Sequence, residues 1–175
     1  MMSPLGRALS LSVSLVALAA LAACAAGDPG PSKGTYTVQF PSTAAAVATD
    51  FVQVLVFEVK PEQRASICQD IITARLTAPG SLEPSVPPAP AANICEMRAG
   101  KKPVEIPFGE HAILAIAQKK DRQDQLKDFL IGCAIMTIGD GDAPLSIPLR
   151  LVSVSAPVPS TTCGSVGEFC ESGCP

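Results

Sequence analysis

Seven cysteines, Cys24, Cys68, Cys95, Cys133, Cys163, Cys170 and Cys174, carry most of the reactive chemistry of this chain, and His111 is its one histidine. Thiols can serve as nucleophiles, metal ligands or disulfide partners. Nucleophilic catalysis needs a base and an orienting group beside the nucleophile, and no such motif surrounds His111, which reads as a strand-edge side chain just after Gly109. A zinc site would ask for paired short cysteine spacings or more histidines. Cys170-Glu171-Ser172-Gly173-Cys174 separates its thiols by three residues instead of the two of redox motifs, so it reads as a structural staple. Asp140 and Asp142 offer carboxylates, but calcium wants six or more oxygens and the run ends at Ala143-Pro144, so Asp-Gly reads as a tight turn. Glu58, Glu62 and Asp70 read as solvated acids. No catalytic, metal or cofactor residue is assigned.

The first residues have the make-up of an export signal, with Arg7 in a short leading region and an uncharged apolar stretch from Leu9 to Ala23. The stretch is shorter than the roughly 20 apolar residues a spanning helix needs, and it gives way to Gly, Pro, Asp and Lys. Leu21-Ala22-Ala23-Cys24 resembles the lipobox of bacterial lipoproteins, in which the cysteine thiol is lipidated and the chain is cut before it. The resemblance implies a signal peptide over residues 1–23, lipid on Cys24 and anchorage in the cell envelope. Ala25 is not the aspartate that commonly retains such proteins at the inner membrane, which implies the outer membrane of a two-membrane cell.

With Cys24 assigned to lipid, six cysteines remain, an even set in an oxidising compartment where disulfides are the expected fate. Three lie in the domain and three in the C-terminal tail, so at least one bond must cross between them if all six pair. The expected framework joins Cys68 to Cys133, because each shares a face with isoleucines of a helix and a strand. Cys95 then reaches the tail, and two of Cys163, Cys170 and Cys174 close on each other.

The elements that must position these residues follow from periodicity. Residues 24–34 read as a flexible tether, with a mean reach of roughly 17 Å for ten residues. The domain occupies 35–155. Tyr36, Val38 and Phe40 alternate in one strand, and an Ala-rich turn over 42–49 leads to a strand apolar on both faces from Phe51 to Val59. Ser66 with Gln69 forms a capping-box pattern before a helix over about 66–76. Five prolines between Ala78 and Asn93 predict a long exposed loop. Further strands are expected over 104–108, 112–117, 129–138 and 145–151, with the charged segment 119–128 as a hairpin loop or short surface helix. Residues 156–175 form a Pro-, Gly- and Cys-rich tail too poor in apolar residues to dock without a disulfide. Six or seven strands with one helix predict a mainly β domain, a two-sheet β-sandwich.

The segment Val104-Glu105-Ile106-Pro107-Phe108-Gly109-Glu110-His111-Ala112-Ile113-Leu114-Ala115-Ile116-Ala117 resembles the strand, turn-glycine, strand element of prealbumin-like sandwiches such as carboxypeptidase regulatory-like domains. That resemblance implies an accessory or adhesion module and transfers no functional residue. Removing residues 1–23 removes Arg7 and no acid, leaving 12 Lys plus Arg against 16 Asp plus Glu, a net charge of −4. An acidic chain with one Tyr, six Phe and no Trp has no electrostatic footprint for nucleic acid. The expected function is a non-catalytic structural or ligand-binding module on the envelope, partnered by the membrane and by an envelope protein or polysaccharide. The competing expectations are an enzyme whose loop carboxylates, Glu105, Glu110 and Asp121, converge at one end of the sandwich, and an accessory subunit of an envelope complex.

Overall fold

The computed structural model describes residues 36–101, 104–139, 145–152 and 160–174. The export segment, Cys24, the tether and the Asp140-Gly141-Asp142 turn lie outside the described residues. The strands are β1 (Tyr36–Gln39), β2 (Phe51–Glu58), β3 (Ala92–Asn93), β4 (Gly109–Lys120), β5 (Leu126–Ile138), β6 (Leu145–Pro148) and β7 (Arg150–Leu151). The helices are α1 (Thr43–Val47), α2 (Ile67–Thr77), α3 (Ile94–Arg98) and α4 (Val166–Ser172). Five strands form an antiparallel sheet in the order β3-β2-β4-β5-β7, and β1 pairs in parallel with β6 as a separate two-stranded sheet.

Strand alternation splits the core into two layers. Val52, Val54 and Val56 of β2 lie beside Ile113, Ala115 and Ala117 of β4 on one face, packed with Tyr36 of β1, Ala45 of α1 and Ile147 of β6. The opposite face carries Leu55, Phe57, Leu114 and Ile116, covered by Ile67 and Ile71 of α2. β2 is therefore covered on both faces, as the apolar run from Val54 to Phe57 requires, while β4 is the middle strand of the sheet. At these apolar areas each fully buried aliphatic side chain stabilises the domain by about 1.5–3 kcal/mol relative to exposure.

Several local expectations change. The Ala-rich segment is a one-turn helix, because the Ser42 side chain accepts from the Ala45 backbone N–H at 3.1 Å and alanine has the highest helix propensity. Residues 104–108 are not a strand and contribute a single bridging residue, Ile106. The Tyr36 hydroxyl takes both backbone groups of Val104, donating to its carbonyl at 2.9 Å and accepting from its N–H at 3.1 Å, and Pro107 has no N–H for a ladder. β4 starts at Gly109, whose φ of +115° suits only glycine at low cost.

The helix over 67–77 forms, but Ser66 does not cap it. The chain arrives through the turn after a 3-10 segment (Pro61–Gln63), leaving Ser66 in helical conformation, where its side chain cannot reach back to the first turn. The Pro-rich segment is largely exposed yet not detached. Ser85 donates its N–H and hydroxyl to the Val56 carbonyl at 2.8 and 3.1 Å, and the segment ends as β3 against Phe51 and Val52. It thus covers backbone groups that an open sheet edge would expose.

Arg75 of α2 forms a two-pronged ion pair with Asp128 of β5, at 2.7 and 2.8 Å, and Gln118 of β4 donates to the same carboxylate at 3.0 Å. Burial works against the Asp128 charge, but the hydrogen bonds from Arg75 and Gln118 outweigh it and hold the carboxyl below its ordinary value. A carboxyl depressed in the folded state stabilises above about pH 4, and that contribution disappears as the pH falls through the folded value. Asp128→Asn is expected to cost about 1.5–3 kcal/mol at pH 7, the range for a charged hydrogen bond, and less at pH 3. Urea midpoints at the two pH values check this, and an equal deficit at both would refute the assignment.

Candidate functional site

The cysteines form a framework that ties α2 to the five-stranded sheet and the C-terminal tail to α3. Cys68 of α2 is bonded to Cys133 of β5, Cys95 of α3 to Cys170 of α4, and Cys163 to Cys174, each with a Cα–Cα distance of 5.4 Å. The first bond locks the helix to the sheet on the face lined by Ile131 and Ile135. The tail is more than a stapled strap. It contains α4, whose N-cap Ser165 accepts from the Glu168 N–H at 3.1 Å, while the Glu168 carboxylate accepts from the Gly164 N–H at 2.8 Å. α4 packs on α3 and α1 and belongs to the same compact unit as the domain, so its docking rests on packing as well as on the Cys95–Cys170 bond.

His111 lies in β4 between Glu58 of β2 and Met136 of β5 in register. Its Nε2 is 3.3 Å from the Phe108 carbonyl, and its buried Nδ1 has no partner among the described residues. No cluster of three or more His, Cys, Asp or Glu able to hold a metal occurs among the described residues. Glu110 pairs with Arg64 at 2.9 Å, and Asp121 caps the β4–β5 hairpin by accepting from the Gln123 and Gln125 N–H groups at 2.9 Å. Glu110 is the second residue of β4 and Asp121 follows its last residue. An extended strand of that length holds them roughly 36 Å apart, so these acids do not converge on one cleft. Glu105 is exposed, and so is Glu62 in its 3-10 turn.

Among the grooves on the described surface, two are lined by both apolar and charged side chains. One, of about 500 Å³, lies between α2, the end of β2 and the Pro-rich segment, with Phe57, Ile71 and Leu82 beneath Glu58, Asp70, Glu83 and Lys60. The other, of about 340 Å³, lies between β1, α3 and α4. Its floor is Phe40, Ile94 and Met97, with Arg98 and Lys101 at the rim and Val166 contributed by α4.

The second groove is the better built. Tyr36 forms one wall and is fixed by its two hydrogen bonds to Val104; burial pushes its phenol up to about 12, against the lowering effect of the Val104 bond. α3 starts from a complete capping box, Asn93 accepting from the Glu96 N–H at 2.7 Å and Glu96 accepting from the Asn93 N–H at 3.0 Å. The bond from the Asn93 backbone, then that from Lys101, holds the Glu96 carboxyl below its ordinary value. Arg98 pairs with Glu171 across the Cys95–Cys170 bond at 3.1 Å, and Lys101 with Glu96 at 3.0 Å. Arg98 and Lys101 are not among the residues that the sequence singles out for binding. The signal was the mix of apolar and basic types from Ile94 to Lys101 directly after an Asn-x-x-Glu cap. Comparison with known families, curated proteins and solved structures gives no match, so the functional reading rests on these residues.

Proposed function

We propose that this chain is an envelope-anchored lipoprotein, lipidated on Cys24 after cleavage of residues 1–23, whose domain is a non-catalytic binding module. One observation carries the reading. The six other cysteines pair among themselves, so Cys24, which directly follows Leu21-Ala22-Ala23, has no cysteine of this chain left to bond. A thiol of odd parity in an otherwise oxidised set, at the end of a short apolar export segment, has lipid as its natural partner. The scattered positions of Glu110, Asp121 and His111 support a non-catalytic role, and Ala25 favours the outer membrane. We read the β1–β6 sheet against the five-stranded sheet as a reduced two-sheet sandwich, since Ile147 and Tyr36 share one core with Val54 and Ile113.

Cys24→Ala is expected to block processing and leave a precursor about 2 kDa heavier than the unlipidated mature polypeptide. Metabolic labelling with a fatty-acid analogue should mark the wild type and not the variant. A wild-type mature protein that takes up no label and partitions into the aqueous phase of a detergent separation would sink the proposal.

A further inference from the structure

We propose that the groove between β1, α3 and α4 docks the headgroup and first acyl carbons of an anionic phospholipid in the bilayer that anchors the chain. The inference rests on anchorage at Cys24. Tyr36 lines the groove, and only residues 25–35 separate it from Cys24. A polypeptide of that length spans at most roughly 40 Å, so the groove is covalently confined to the neighbourhood of the lipid surface and meets it at a high effective concentration.

The groove's chemistry matches an anionic amphiphile. Phe40, Ile94 and Met97 supply an apolar floor, Arg98 and Lys101 supply two cations, and no acid is among the described lining residues. The cations' present partners, Glu171 and Glu96, hold them in pairs whose side chains are 41% to 71% exposed. Such pairs hold weakly and exchange readily. A phosphodiester presents acceptor oxygens that suit the Arg98 guanidinium and the Lys101 ammonium, while the adjoining glycerol and methylenes lie on the floor. At about 340 Å³ the groove is at the small end of ligand sites, enough for a headgroup and the start of one chain, so the lipid stays in its leaflet. The mature net charge of −4 repels an anionic surface as a whole, so approach by this face depends on Arg98 and Lys101 exchanging Glu171 and Glu96 for lipid phosphate.

The chain contains its own probe, because Tyr36 is the one tyrosine and there is no tryptophan. Mature chain from residue 24, with its six other cysteines oxidised, is coupled through the Cys24 thiol to a maleimide lipid in phosphatidylcholine vesicles. Some of these vesicles also contain phosphatidylglycerol. Bromine is placed on the acyl chains of one lipid or the other, and Tyr36 emission is followed. Brominated phosphatidylglycerol is expected to quench far more than brominated phosphatidylcholine at equal content, with a preference of up to about thirtyfold from two cations near the surface. Arg98→Gln with Lys101→Gln should abolish the preference, and Met97→Glu should lower quenching by both lipids. Unchanged Tyr36 emission in solution verifies the fold of each variant. Equal quenching by the two lipids in the wild type, or a preference that survives Arg98→Gln with Lys101→Gln, would overturn the proposal. Because the anchor is supplied chemically, this outcome is independent of whether cells lipidate Cys24.

Discussion

Gly132→Ala is expected to destabilise the domain by about 3 kcal/mol or more, at the upper end of what one added methyl costs in a packed interior. Gly132 lies in β5, buried, where the chain of β6 crosses the sheet. A Cβ built there would overlap the Pro148 carbonyl oxygen and lie 2.9 Å from its carbonyl carbon and 3.3 Å from the Leu149 Cα. These are backbone atoms, and they cannot swing aside as the end of a side chain would. Leu149 is itself held by its N–H bond to the Gln39 carbonyl at 2.9 Å, so moving Pro148 would also strain the β1–β6 sheet. Gly80→Ala is the matched control, since nothing lies within 4 Å of a Cβ there and its φ is ordinary. Urea unfolding with the disulfides intact should show a lower midpoint at an unchanged slope for Gly132→Ala and none for Gly80→Ala. Equal midpoints for both variants would mean that the two sheets do not meet at this residue.

The crossing at Gly132 also shows where sequence reasoning stops. Period-two alternation in β2 and β5, and the near-helical spacing of Ile67, Ile71 and Ile72, are local signals that tertiary packing reinforces, and those elements are legible. The same alternation at Val104, Ile106 and Phe108 misleads, because a hydroxyl from Tyr36, 68 residues away, takes the backbone groups a strand would pair. No local window contains that information. Similar cap patterns diverge for a related reason. Ser165 with Glu168 caps α4, whereas Ser66 with Gln69 caps nothing, since the chain enters α2 from a helical turn and enters α4 extended. α1 and α3 are each a single turn of five residues, too short to be stable alone, and exist because Ala45, Ala46 and Ile94 are buried by the fold around them.

The binding surfaces were less legible than the elements. Acids can be counted in a sequence, but whether Glu110 and Asp121 meet depends on their lying at opposite ends of one twelve-residue strand. The groove between β1, α3 and α4 draws on residues from Tyr36 to Val166, and its cations look like ordinary surface charge until the floor beneath them is known. Cysteine parity was legible because it is a counting argument that holds before any geometry is available.

Removing the Cys68–Cys133 bond as a double alanine variant is expected to cost about 4 kcal/mol in the chain-entropy model, because the bond spans a sequence separation of 65. Against a typical domain stability of about 5–15 kcal/mol, such a loss lowers the urea midpoint substantially. It should also loosen α2, whose remaining ties to the sheet include the Ile67, Ile71 and Ile72 contacts and the Arg75–Asp128 pair. Removing Cys163–Cys174 makes the informative comparison. Its separation is 11, so it restricts the unfolded chain less, and it braces only the segment around α4. The global midpoint should fall less for this pair, while hydrogen exchange in α4 quickens and exchange in β2 and β4 stays slow. Non-reducing peptide mapping should recover Cys68 with Cys133, Cys95 with Cys170 and Cys163 with Cys174. A Cys68 link to Cys95, or a larger midpoint loss from the tail pair than from Cys68 and Cys133, would refute the placement of the principal crosslink between α2 and β5.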